Sequence, residues 1–288
     1  MCGSCQDRVM SDTAVLLTTV ELAEMIEQGR SPVILDVRWA LGDKHGRDRF
    51  HEGHISGAVY VDLDEELAAP PAPELGRHPL PDIDRFQAAA RRWGIDDGTP
   101  VVAYDDTGDL AAARAWWLLR WAGHSEVRLL DGGLQAWIAG GHPLAAGPGG
   151  ERKPGHVTLS PGHMPTIGPD EAAAFATHGV LLDARAYARY SGAEEPVDRR
   201  AGHIPGAVSA PTGENLRQDG SFLPADQLAH RFSKLGVKRT DVAVYCGSGI
   251  NAAHEIAALE IAGIDAALYP GSWSQWSADP AREVATGG

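Results

Sequence analysis

VAVYCGSGINAAHEIAALEIA, Val242 to Ala262, is the stretch from which the rest of the chain is best understood. Val242 to Tyr245 is a short apolar run of the kind that forms a buried strand, and Ala252 to Ala262 has the apolar spacing and alanine content of a helix. Cys246-Gly247-Ser248-Gly249-Ile250-Asn251 is left as the connection, so a cysteine lies between a strand end and a helix start. Gly247 and Gly249 permit backbone angles that other residues resist, which lets successive N–H groups turn toward the sulfur as an anion-binding concavity. The partial positive charge of a helix N-terminus favours thiolate over thiol, and this makes Cys246 a candidate nucleophile. A small buried cysteine in a tight turn is the bland alternative, and the flanking glycines weigh against it.

Composition narrows the class. A chain of 288 residues with 43% hydrophobic and 22% charged residues suits two soluble domains with real cores. A formal net charge of -14 argues against a nucleic-acid or acidic-membrane partner, because phosphate binding needs clustered Lys and Arg. An anionic substrate must therefore be held by a local site. Three cysteines make no disulfide framework, and Met1 to Val20 lacks a signal-peptide pattern; no segment is long enough to span a membrane. The expected location is the cytoplasm, where a free thiol persists. No cofactor and no metal is expected: Cys2 and Cys5 form a C-x-x-C at the extreme N-terminus, but no second pair follows it.

The chain is duplicated. VILDVRWA at Val33 is echoed by VLLDARAY at Val180, GHISGAV at Gly53 by GHIPGAV at Gly202, VVAYD at Val101 by VAVYC at Val242, and DGGLQAW at Asp131 by PGSWSQW at Pro270. Four matches in one order mark two copies of one domain. The first spans 14–144 and the second 166–288, with a Gly/Pro-rich linker over 145–165 between them. Each copy alternates short apolar strands with helical stretches such as Ala111 to Ala122, which predicts an α/β fold, a mainly parallel sheet with helices on both faces. Tyr245-Cys246-Gly247 of the second copy faces Tyr104-Asp105-Asp106 in the first, so only the second copy carries a thiol. That thiol lies outside the carboxyl end of a parallel strand, where open α/β sheets place their ligands.

With these motifs in hand, both halves resemble rhodanese domains, and the chain from Val33 to Trp276 is similar to the tandem-domain sulfurtransferases. The Cys246-Gly247-Ser248-Gly249 loop is of the kind found in the 3-mercaptopyruvate branch. The resemblance implies a double displacement: Cys246 takes a sulfane sulfur from a small anionic donor, 3-mercaptopyruvate or thiosulfate, and holds it as a persulfide. A thiol, thioredoxin-like or small, or cyanide then accepts it. It further implies that the loop from Gly247 through Gly249 and Ile250 to Asn251 cradles the persulfide and that Arg189 grips the donor, with Arg185, Arg199 or Arg200 as further candidates. Asp64, His78 and Ser248 match a proton-handling triad, and Trp39 an aromatic at the pocket edge. Ile250-Asn251 stands where Val-Thr is usual, leaving a carboxamide to donate in place of a hydroxyl.

The loop has no charged side chain, which tilts the expected donor toward a monocarboxylate gripped by an arginine fork rather than a compact dianion. His54 and His203 recur in both copies and are expected to be structural. Trp116, Trp117 and Trp121 are expected in the core or at the domain interface. Two other classes remain open. A cysteine phosphatase or arsenate reductase would close its loop with an arginine, but the sixth residue after Cys246 is Ala252 and no arginine occurs before Arg282. A non-catalytic rhodanese-like binding module is the other, and the intact Cys246 loop argues against it. The active site is expected in the cleft between the copies.

Overall fold

The computed structural model describes residues 15–30, 32–149, 152–175, 177–237 and 241–288; Cys2 and Cys5 lie outside them. The first copy contains strands β1 (Leu16–Leu17), β2 (Val33–Asp36), β3 (His54–Ile55), β4 (Ala58–Tyr60), β5 (Val101–Tyr104), β6 (Val127–Leu130) and β7 (Leu144–Ala145). Its helices are α1 (Thr19–Glu27), α2 (Gly46–Glu52), α3 (Leu63–Glu66), α4 (Ile83–Arg92), α5 (Ala112–Trp121) and α6 (Gly133–Ala139). The second copy contains β8 (Val180–Asp183), β9 (Val208–Ser209), β10 (Val242–Tyr245) and β11 (Ala267–Leu268). With them come α7 (Pro169–Phe175), α8 (Tyr187–Ser191), α9 (Ala225–Lys234), α10 (Asn251–Ile261) and α11 (Ser272–Ala278).

The first sheet has the order β1-β6-β5-β2-β4 and the second β11-β10-β8-β9, every pairing parallel. The fifth strand of the second sheet is reduced to a single parallel bridge, Thr166 to Leu268. Likewise, the antiparallel β3–β7 pair is echoed by the His203–Ala285 bridge. The strands are buried on both faces. Val33, Leu35, Val101, Ala103 and Leu129 point into one core and Ile34, Val102, Tyr104 and Leu130 into another. Alternate residues of a strand face opposite ways, so two cores require apolar side chains at every position.

One of these cores belongs to both copies. Leu182, Val242 and Val244 of the second sheet share it with Leu35 and Ala103 of the first, and α5 and α10 pack together through it. Trp116 and Trp117 are wholly buried there. The outer cores are separate: α1, α2 and α6 cover the first sheet through Leu22, Phe50 and Trp137, and α7, α8 and α11 cover the second through Phe175, Tyr190 and Trp276.

The connecting segment is pinned to the first copy. Gly155 N–H donates to Arg91 O, Val157 N–H to Ile95 O and Ser160 N–H to Ala122 O, and the side chain of Val157 enters the shared core. The GHI histidines are structural in both copies, as their recurrence predicts. His54 Nδ1 bonds Phe50 O and its ring stacks on Phe50; His203 does the same with Tyr190.

Candidate active site

Cys246 follows β10 directly and is almost fully buried. Its N–H donates to Ser272 Oγ at 3.1 Å, and its sulfur accepts from Gly249 N–H at 3.1 Å. Among the described residues, Gly249 is the loop amide that reaches the sulfur, while the chain through Gly247, Ile250 and Asn251 forms the rest of the turn into α10. The glycines serve different ends. Gly249 has φ +82, the left-handed geometry that favours glycine, and a Cβ there would lie 2.7 Å from Pro270 O. Gly247 has no such backbone demand; a Cβ on it would meet Arg77 Nη2 at 3.3 Å and Arg189 Nη1 at 3.4 Å. Two guanidinium groups thus converge beside the nucleophile. No side chain caps α10.

The cavity above Cys246 has a volume of about 370 Å³, with Trp39, Arg77 and Leu110 from the first copy facing Arg189, Ser248 and Asn251 from the second. Ser248, His78 and Asp64 form the chain that the resemblance implies. Ser248 Oγ lies 2.7 Å from His78 Nδ1, and His78 Nε2 lies 3.3 Å from Asp64 Oδ1. Trp39 packs edge-on against the His78 ring at a centroid distance of 5.3 Å. Burial pushes the pKa of His78 down to about 4; Arg114 adds to the shift and Asp64 opposes it. The ring is therefore neutral near pH 7. Because Asp64 accepts, Nε2 carries the proton and Nδ1 accepts from the Ser248 hydroxyl.

At the mouth, Arg189 Nη2 lies 2.7 Å from Glu195 Oε1 and 2.9 Å from Asp198 Oδ2. Arg77 Nη1 lies 2.7 Å from Asp198 Oδ1, so one buried carboxylate clips arginines from the two copies together. Arg77 was not among the expected site residues. Its sequence signal is only that it precedes His78 in GRHPLP.

Arg185, expected at the donor site, lines the cavity with its guanidinium already partnered. Its Nε and Nη2 bond Asp183, Nη2 also donates to Gly202 O at 2.7 Å, and Nη1 faces Glu195. The first copy repeats the arrangement with Arg38, Asp36 and Gly53 O, although it has no thiol. The Asp–Arg–carbonyl arrangement is therefore common to both copies. Arg200 is likewise committed elsewhere: it donates to the carbonyls of Trp276, Ser277, Asp279 and Arg282 around the end of α11. Arg199 is exposed and does not line the cavity.

The first copy shows what replaced its nucleophile. Asp105, wholly buried, accepts N–H groups from Thr107, Asp109, Ala111 and Ala112 at 2.7 to 3.0 Å. The anion-binding turn survives there, filled by the protein's own carboxylate.

A model of the rhodanese-like domain matches this chain twice, over residues 18–140 and 169–279. A Mycobacterium tuberculosis protein assigned as a thiosulfate sulfurtransferase, SseB, is 46% identical over 279 residues, covering 95% of this chain and 97% of the relative. A Pseudomonas aeruginosa protein assigned as a 3-mercaptopyruvate sulfurtransferase is 45% identical over 285 residues, covering 96% and 99%. Among solved structures, the crystal structure of the 3-mercaptopyruvate enzyme SseA from Escherichia coli superimposes with a TM-score of 0.79 at 30% identity, covering 91% of this chain and 99% of that one.

Proposed function

From the premise that this chain belongs to the rhodanese-like family, with two such domains and one thiol among the described residues, we propose that it is a sulfurtransferase working through a persulfide on Cys246. The observation that carries this reading is the placement of the Cys246 sulfur: it accepts an amide hydrogen bond at a helix start and faces a cavity closed by guanidinium groups from both copies. In the first half-reaction the thiolate attacks the outer sulfur of the donor. With 3-mercaptopyruvate the carbon–sulfur bond breaks and its electron pair leaves on carbon. The donor's thiol proton passes through Ser248 and His78 and returns to that carbon, giving pyruvate and an enzyme persulfide. With thiosulfate the sulfur–sulfur bond breaks and sulfite leaves. In the second half-reaction an acceptor thiol or cyanide attacks the outer sulfur of the persulfide, and the Cys246 thiolate is restored.

The mouth of the cavity favours a monocarboxylate donor. Arg77, Arg185 and Arg189 are matched there by Asp183, Glu195 and Asp198. Arg77 Nη2 and Arg189 Nη1, beside Gly247, supply free N–H groups without excess positive charge, which suits a carboxylate better than a compact dianion. The Mycobacterium tuberculosis and Pseudomonas aeruginosa relatives bear different donor names, so steady-state comparison of 3-mercaptopyruvate and thiosulfate is the direct test. A higher specificity constant for thiosulfate would overturn the donor assignment.

The chemistry of the cycle suits a reducing compartment, and the cytoplasm is proposed on that ground. Among the described residues no helix is long and apolar enough to cross a membrane. Intact-mass measurement after incubation with donor tests the persulfide: the wild type gains one sulfur and Cys246→Ser gains none. Continued turnover by Cys246→Ser would return the chain to the class of proteins that do not use this thiol.

A further inference from the structure

One charged side chain near the nucleophile has no counterpart in the donor-binding mouth. Arg114, the third residue of α5, is wholly buried. The arginines of the mouth each have a carboxylate partner: Arg77 has Asp198, Arg185 has Asp183 and Glu195, and Arg189 has Glu195 and Asp198. Among the described residues no carboxylate pairs with Arg114. Its hydrogen bonds run to backbone carbonyls instead. Nη1 donates to Gly249 O at 3.2 Å, and Nη2 to His78 O at 3.0 Å and Pro79 O at 3.3 Å; Nε reaches Leu67 O at 3.4 Å. An unpaired cation at zero exposure is costly, so a site that keeps one has an anion for it to meet.

We propose that Arg114 is the buried countercharge of the Cys246 thiolate and of the persulfide, and that it positions the loop by fixing the Gly249 peptide group. Gly249 connects the two roles. Its carbonyl is held by Arg114 and its N–H donates to the Cys246 sulfur, so the guanidinium fixes the residue whose amide the sulfur uses. The same guanidinium holds the backbone of His78, whose ring meets Ser248. One side chain from the first copy therefore sets both halves of the site. Burial lowers the pKa of Arg114 to about 10, Cys246 being the group that opposes the shift, and Arg114 in turn helps keep His78 neutral. Position three of α10, the matching helix of the second copy, is Ala253, so the cation is present only where it can face the thiol across the interface.

The charged and titratable groups facing Cys246 are, besides Arg114 on α5, Arg77 and His78 before α4, with Asp64 behind His78. From the second copy come Arg185 and Arg189 with their carboxylates. Among these arginines, Arg114 is the one that no carboxylate of the described residues pairs with. This inference rests on Cys246 being the nucleophile, but its test needs no sulfur donor and so is independent of the activity.

The test is the pH dependence of iodoacetamide alkylation at Cys246, read by peptide mass spectrometry so that Cys2 and Cys5 are counted apart. The wild-type profile is the reference against which the variants are read. Arg114→Met should move the inflection up by about one pH unit or more, and Arg114→Lys should stay nearer the wild type. Arg114→Gln, which keeps donors for the carbonyls but no charge, gives the same reading should the methionine variant not fold. A folded neutral variant alkylated as fast as the wild type across the whole range overturns the proposal, since a merely structural arginine would leave the thiolate unmoved.

Discussion

Arg189 and Arg77 reach the same place from opposite copies, and their work differs from that of Arg185 and Arg114, though all four carry the same group. Arg189 and Arg77 are each about a fifth exposed and each presents an amino nitrogen beside Gly247, so both have a face open to the cavity; Arg189 is the one proposed to grip the donor. Losing a charge-assisted, two-point contact costs about 2 to 3 kcal/mol, so Arg189→Ala should lower kcat/KM for 3-mercaptopyruvate roughly 30- to 150-fold. Arg189→Lys should restore part of that loss, because a point charge cannot reproduce the fork. Steady-state kinetics on both variants check this, and an unchanged specificity constant in Arg189→Ala would remove Arg189 from the donor site.

At the scale of an element, the two strand–loop–helix units show one design used for two ends. From Tyr104 to the start of α5 the first copy has seven residues, and from Tyr245 to the start of α10 the second has five. The longer loop brings a carboxylate back onto the amides of Thr107, Asp109, Ala111 and Ala112, where the shorter one presents a sulfur. Burial raises the pKa of Asp105, and those amides oppose the shift. The helix α5 carries Arg114, so the Asp105 turn is a foundation for the cation at the active site. Asp105→Ala should cost about 2 to 4 kcal/mol, since it strands several buried donors at once, and Asp105→Asn less. Denaturant unfolding at pH 7 measures both. A midpoint unchanged in Asp105→Ala would mean that the turn holds without its internal anion.

Across the whole molecule, the two copies form one protein because they share a core and polar bonds that neither could make alone. His254 Nε2 lies 3.1 Å from Gly108 O, Phe222 N–H donates to Asp131 at 2.8 Å, and His78 meets Ser248. These buried histidines tie stability to pH. Burial lowers His78 to about 4 and His254 to about 3 from an ordinary 6.5. The unfolded chain binds their protons first as pH falls. Their contribution is therefore full above about pH 6.5 and is lost below it, by about 1.4 kcal/mol per pH unit for each histidine, until the folded-state value is reached. Asp36, Asp105, Asp109 and Glu255, raised by burial, act in the opposite sense, so the comparison must isolate one group. The wild type should lose stability relative to His78→Gln between about pH 6.5 and 4, read from unfolding midpoints. Parallel curves for the two proteins would show that His78 does not titrate this way.

Much of this was legible in one dimension because it is local. The strand Val242–Tyr245, the helix after it, the cysteine between them and the repetition of all three follow from side-chain period and turn chemistry over a dozen residues. Asp64 and His78 were legible only through resemblance, since nothing in DLDEE or GRHPLP states that the histidine meets a serine 170 positions away. The duties of the arginines were decided by tertiary structure alone. An arginine in sequence is one cation, and whether it shares a carboxylate at the cavity mouth (Arg189), braces a strand end (Arg185), closes a helix terminus (Arg200) or meets only carbonyls among the described residues (Arg114) depends on which partners the packing of two domains brings within 3 Å or so of it. Arg114 and the Gly249 carbonyl are 135 residues apart. Hydrophobic periodicity records how much of a residue is buried and on which face, and carries no record of what charge lies opposite.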